Sequence, residues 1–185
     1  MSSVNRKLQY SLAINEALHQ MMAIDKSVFL IGQGVKSPWY VGNTAQGLLK
    51  KFGPMRVIDT PVSENAVTGA AIGAAITGMR PVLVHPRMDF MMYALDPIIN
   101  EASNWHYMNG GRSSVPVVIW GIINRGSEQG TQHSQAFHAL FSHVPGLKVV
   151  MPATPYDAKG LMIAAIRDNN PVIYIDDRWL YNHEG

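Results

Sequence analysis

Short runs of β-branched and apolar residues recur along the chain, at Val28–Ile31, Arg56–Asp59, Pro81–His85, Pro116–Gly121, Leu147–Met151 and Pro171–Asp176. Several are apolar without a break rather than alternating, the pattern of strands covered by helices on both faces of a sheet. The segments between them carry helical spacing. Ile14, Ala17, Leu18, Met21 and Met22 mark one apolar face. Further helices are expected at Ser63–Thr77, Tyr93–Met108, Ser134–Phe141 and Tyr156–Asp168. Another is expected to start at Asn43, a good N-cap, and to stop at Gly53-Pro54. Strand–helix alternation of this kind predicts an α/β fold, a doubly wound and mostly parallel sheet of about six strands with helices on both faces. Two stretches, Gln33 to Gly42 and Ile122 to Gln132, read as long loops, where sites usually sit in such folds.

Composition narrows the function. The 185 residues fit a single domain, residues 1–185, long enough to bury a core without staples. Hydrophobic residues make up 47%, which excludes a disordered chain. Charged residues are only 15%, against roughly 25% in typical soluble domains. So little charge hints that part of the surface is covered by another chain. The net charge of +2 is too small for an electrostatic nucleic-acid binder. The absence of cysteine excludes disulfides, Cys-ligated zinc, iron–sulfur clusters and thiol catalysis. The longest apolar stretch, Ala66 to Met79, is broken by Thr and Gly, so no membrane span is expected. Met1 to Tyr10 is polar and lacks an apolar secretion core. The expectation is a cytoplasmic domain with partner chains.

Two places could carry chemistry. Ser63-Glu64 follows the second strand at a helix start, the carboxyl edge where open α/β sheets bind ligands. A Glu in a first turn also simply complements the helix dipole. The helix it heads is unusual, with Ala66, Gly69, Ala70, Ala71, Gly73, Ala74, Ala75 and Gly78. Each interior Gly costs about 1 kcal/mol of propensity relative to Ala. Such a run makes sense if a neighbouring helix or a second subunit packs close to its backbone. A carboxylate at the head of a tightly packed helix would be desolvated, which tips Glu64 toward function. His133-Ser134-Gln135 ends the loop after the fourth strand, again at a carboxyl edge. The other histidines show no metal-ligand spacing. No Gly-rich phosphate loop stands between a strand and a helix, and no Gly-Asp-Gly magnesium-diphosphate signature is present.

The runs Asp59-Thr60-Pro61-Val62-Ser63-Glu64, Gly69-Ala70-Ala71-Ile72-Gly73-Ala74-Ala75, Gly78-Met79-Arg80-Pro81, Asn109-Gly110-Gly111, His133-Ser134-Gln135, Pro145-Gly146-Leu147-Lys148-Val149-Val150, Tyr156 to Leu161 and Ala165 to Pro171 stand in one order. Together they resemble the pyrimidine-binding domain of the beta subunit of thiamine-diphosphate-dependent 2-oxo acid dehydrogenases, shared with transketolases. The resemblance implies that Glu64 hydrogen-bonds the aminopyrimidine of thiamine diphosphate, favouring the imino tautomer whose nitrogen deprotonates the thiazolium C2. It implies that Phe90 stacks on the pyrimidine and that His133 binds substrate. It further implies a structural potassium site built from the carbonyls of Val117, Ala165, Ile166, Asp168 and Asn170. A helix C-terminus offers such unpaired carbonyls. The diphosphate and Mg2+ would be held by an alpha-type partner subunit, in a heterotetramer or a homodimer of heterodimers.

The sequence departs from the family in three ways. Gln33-Gly34 replaces an acidic pair that joins a polar path between active sites in relatives, so that coupling is not expected. Arg87, three residues before Phe90, and Arg125 and Glu128 in the loop stand where relatives carry aromatic, small or Gly-rich residues. The two arginines are candidate contacts for an anionic substrate, or members of structural salt bridges. The sequence stops at Gly185 where relatives continue into a C-terminal domain; either it is a fragment, or the enzyme is naturally split and a separate chain supplies that domain. Three readings follow: a subunit acting on a 2-oxo acid, a split transketolase moving a ketol unit between sugars, and a non-catalytic subunit that stabilises its partner.

Overall fold

The computed structural model describes residues 6–125 and 129–185. Helix α1 (Tyr10–Ile24) leads into β1 (Val28–Gln33), followed by the short helices α2 (Pro38–Val41) and α3 (Leu48–Phe52). Then come β2 (Val57–Thr60), α4 (Glu64–Ile76), β3 (Arg80–His85), α5 (Ser103–Met108) and β4 (Val118–Ile123). The chain closes with α6 (His138–Ser142), β5 (Lys148–Val150), α7 (Pro155–Arg167) and β6 (Val172–Asp177). The strands form one six-stranded sheet in the order β2-β1-β3-β4-β6-β5, and every pair is parallel. Among the described residues no helix is long and apolar enough to cross a membrane.

The unbroken apolar runs are explained by burial on both sides. All six residues of β4 and of β6 are buried. Leu30, Val82, Trp120 and Tyr174 face α1 and α7, packing with Ile14, Leu18, Met162 and Ile166. Their neighbours Ile31, Leu83, Ile119 and Ile173 face the other side, against Ala71 and Ile72 of α4 and Met88, Met91 and Phe141. Helix α7 starts where its chemistry says it should: Thr154 Oγ1 accepts from Asp157 N at 3.1 Å, with Pro155 in the first turn.

Three expected helices differ. Asn43 lies in a 3₁₀ turn, Gly42–Ala45, and does not cap a helix; α3 begins only at Leu48. The cause is α1, whose Asn15 side chain takes the carbonyls of Thr44 and Gln46, both at 2.9 Å. Gly47, at φ +76°, then breaks the path. The segment expected as Tyr93–Met108 winds as a 3₁₀ stretch (Met88–Ala94), a π stretch (Asp96–Ala102) and then α5. Pro97 lacks a donor, and Ser103 Oγ and Asn104 Nδ2 both take the Ile99 carbonyl, competing with regular helix bonds. Of Ser134–Phe141 only His138 onward is helical.

The small-residue helix also resolves one alternative. Thr68, Ala71, Ile72 and Ala75 of α4 are buried, but a Cβ placed at Gly69 or Gly73 would meet nothing within 4 Å. The close neighbour is therefore not another helix of the described chain.

Candidate functional site

Strand order reverses at β1: the chain moves outward to β2 and returns on the other side to β3. Such a reversal opens a crevice at the carboxyl ends of the strands, where doubly wound sheets take ligands. In this protein Gln33, Thr60, Pro61, Ser63, Glu64, Val67, His85 and Pro86 line it. Glu64 is the first residue of α4, placed there by β2 and the short Pro61–Ser63 turn. It is half-buried. Among the described residues its carboxylate has no recorded hydrogen-bond partner, and the buried Thr60 Oγ1 in the same crevice is also unpartnered. A carboxylate and a buried hydroxyl thus stand without partners among the described residues at the strand-order reversal.

The floor of the crevice is neutral. His85 is buried, with Nε2 3.1 Å from Thr68 Oγ1. Burial lowers its pKa to about 4, so near neutral pH the ring adds no charge to oppose Glu64. The turn after β1 is fixed by Gly34, whose N–H donates to Asp59 Oδ1 at 2.7 Å. Gly34 has φ +68°, and a Cβ there would strike the Tyr40 ring at 2.3 Å, so glycine is required.

The Phe90 and His133 rings meet edge to face, with centroids 5.3 Å apart. Phe90 also stacks on Tyr93 at 6.4 Å, and Asn65, next to Glu64, donates to the Tyr93 carbonyl at 3.4 Å. Helix α4 is thereby tied to the Phe90 turn, and that turn to the His133 loop. Asp89 Oδ1 holds the same loop by accepting from Gln135 Nε2 at 2.8 Å. The geometry thus assembles Glu64, Phe90 and His133 from three segments at one sheet edge.

The arginines part company. Arg87 is 6% exposed; its Nε donates to Gln129 Oε1 at 2.7 Å and its Nη1 to the Pro86 carbonyl at 2.6 Å. Arg125 instead forms a two-pronged bond to Asp177. Its charge is matched in this structure by a buried carboxylate. Glu128 lies outside the described residues.

The five carbonyl donors expected for potassium lie at the opposite, amino edge. Val117 O accepts from Val172 N at 3.0 Å and Ala165 O from Asp168 N at 3.2 Å. Arg80 Nη1 donates to both Ile166 O and Asp168 O at 3.0 Å, and Lys148 pairs with the Asp168 carboxylate. Arg80 thus occupies two of the five carbonyls, and no step proposed below runs through an ion. Sequence reasoning missed His85, Thr68, Asp89 and Asn124; the one available signal was a polar residue ending an apolar strand, Val82-Leu83-Val84-His85.

Residues 6–183 match the family "Transketolase, pyrimidine binding domain". The chain is 48% identical, over 97% of its length, to the Cupriavidus necator protein named "Acetoin:2,6-dichlorophenolindophenol oxidoreductase subunit beta" and covers 56% of it. It is 45% identical to the Rickettsia felis "Pyruvate dehydrogenase E1 component subunit beta", over 92% of this chain and 52% of that one. A solved structure described as "Split gene transketolase, inactive beta4 tetramer" aligns with a TM-score of 0.72 and 18% identity, over 92% of this chain and 52% of that one, a likeness of fold alone. The fold and the crevice define a transketolase-like α/β domain. This chain belongs to the transketolase pyrimidine-binding family, and it spans about half the length of the curated relatives it matches.

Proposed function

We propose that this chain, as one domain, supplies the pyrimidine half of a thiamine-diphosphate site in an enzyme that acts on a 2-oxo acid. The observation that carries the reading is Glu64, a half-buried carboxylate at the head of α4, open to the crevice and without a recorded partner among the described residues. The pyruvate dehydrogenase name of the Rickettsia felis relative supports a 2-oxo acid enzyme over ketol transfer. When bound, the cofactor would supply an electron sink for the pair left on the former carbonyl carbon as its bond to the carboxylate breaks. The chain's own residues do the rest. The Glu64 carboxyl group holds and returns a proton at the pyrimidine ring nitrogen. Phe90 offers the pyrimidine an aromatic face. His133, steadied edge-on by Phe90 and by the Asp89–Gln135 bond, reaches the polar atoms of the substrate. An alpha-type subunit supplies the Mg2+ and diphosphate ligands, in a cytoplasmic heterotetramer.

The division of labour gives a direct expectation. The isolated chain binds thiamine diphosphate weakly, because most charge-assisted contacts belong to the diphosphate and metal. Calorimetry on the purified chain tests this; micromolar, magnesium-dependent binding would refute it.

Assembly gives another. The open face around Gly69 and Gly73 is assigned to the partner. Gly73→Leu should leave the isolated chain folded, since nothing stands within 4 Å of the new Cβ. It should overpack the subunit contact, costing about 1–3 kcal/mol. Sedimentation of the variant with its partner reads the outcome, and wild-type assembly would remove α4 from the interface.

A further inference from the structure

We infer that Arg87 and Arg178 form an anion-binding corner that seats a carboxylate or phosphate group of the substrate beside the Phe90–His133 pair. The inference rests on the cofactor reading above only for the word substrate; the corner stands on its own contacts. Arg87 is more than nine-tenths buried, yet both its bonds run to uncharged acceptors, Gln129 Oε1 and the Pro86 carbonyl. Asn124, fully buried, donates to that same Pro86 carbonyl at 2.8 Å. Its Oδ1 accepts from Arg178 Nη1 at 3.2 Å. The other acceptors of Arg178 are the carbonyls of Trp39 and Pro38, at 2.7 and 3.0 Å. Two guanidinium groups are thus joined through one amide and one carbonyl.

Among the described residues no carboxylate is hydrogen-bonded to either. Asp177 is held by Arg125 and by Trp179 N, Asp176 accepts from Trp120, and Asp89 Oδ1 belongs to Gln135 while its buried Oδ2 stays unbonded. Burial first, and then the nearby Arg178, push the Arg87 pKa down, and the charge of Asp89 with the Tyr40 and Tyr181 hydroxyls offsets this only in part. A buried charge of this kind is costly unless it is paired. The guanidinium lies 5.9 Å over the Tyr40 ring, on the segment after β1. It stands three residues before Phe90, and its Gln129 partner four before His133. Nη2, which makes no bond to a described residue, is the donor left for an oxygen anion.

The test uses the full chain without cofactor, with inorganic phosphate and acetate as probes against chloride at constant ionic strength. Wild type should be stabilised saturably in thermal melts by one of them, phosphate marking a phosphorylated substrate and acetate a carboxylate. Affinity should fall at least tenfold in Arg87→Gln and, on the half-exposed side, in Arg178→Gln. Arg125→Gln should bind as wild type does. Three results would overturn the inference: no difference from chloride, equal binding by both glutamine variants, or binding that emerges only in Glu128→Gln, which would give the charge an internal partner. None bears on Glu64, whose test is proton exchange on the bound cofactor.

Discussion

Glu64→Gln is expected to slow activation of thiamine diphosphate by about 10²–10⁴-fold, the usual contribution of a general acid–base group. Folding and assembly should stay nearly intact. Glutamine keeps the size and shape of the side chain, and the carboxylate has no recorded partner among the described residues to leave stranded. It can donate a hydrogen bond to the pyrimidine nitrogen but cannot pass a proton to and from it. A carboxylate that merely faced a helix dipole would behave otherwise, losing about 0.3–1 kcal/mol of stability with no kinetic defect. Exchange of the cofactor C2 proton, followed by NMR in the assembled enzyme, separates the two. Exchange at the wild-type rate would take Glu64 out of catalysis.

The sheet was legible because double-sided burial leaves an unmistakable trace. Val118 to Ile123 and Val172 to Asp177 have no solvent face to be polar on, and strand positions were readable to within a residue or two. Helix ends were less so, since the deciding partners lie far along the chain. Asn43 has the right side chain for a cap, yet Asn15, in another helix, sets the turn there. The crevice was half legible. Glu64 and His133 could be singled out because each sits at a carboxyl strand edge within a run that resembles a family, and Phe90 entered only as what that resemblance implies. The arginines could not be ranked from sequence. Whether a guanidinium is matched depends on residues far away, Asp177 for Arg125 and Gln129 for Arg87. The role of the small-residue helix depended in turn on which face of α4 the sheet covers. Periodicity is blind to that when nearly every position is Ala or Gly.

Two buried groups of opposite character should nearly cancel in the acid stability profile, and single substitutions should uncover them. Asp176, fully buried at the end of β6, has its carboxyl pushed up to about 7, burial outweighing the hydrogen bond from Trp120. Its pKa is raised above the unfolded value, so its stabilisation is complete below about pH 4 and is lost as pH rises toward 7. His85 runs the other way. Burial lowers it to about 4, so its contribution is complete above about pH 6.5 and is lost as pH falls toward 4. Across that shared window the slopes are opposite, each up to about 1.4 kcal/mol per pH unit. Asp176→Asn keeps an acceptor for Trp120 and leaves His85 alone, so this variant should weaken progressively from pH 6.5 to 4 relative to wild type. His85→Gln can still meet Thr68 and leaves Asp176 alone, so it should weaken from pH 4 to 7 instead. All other titrating groups act alike in the three proteins and drop out of the comparison. Denaturant unfolding at half-unit pH steps reads both trends, and variants that run parallel to wild type would show that neither burial is coupled to folding.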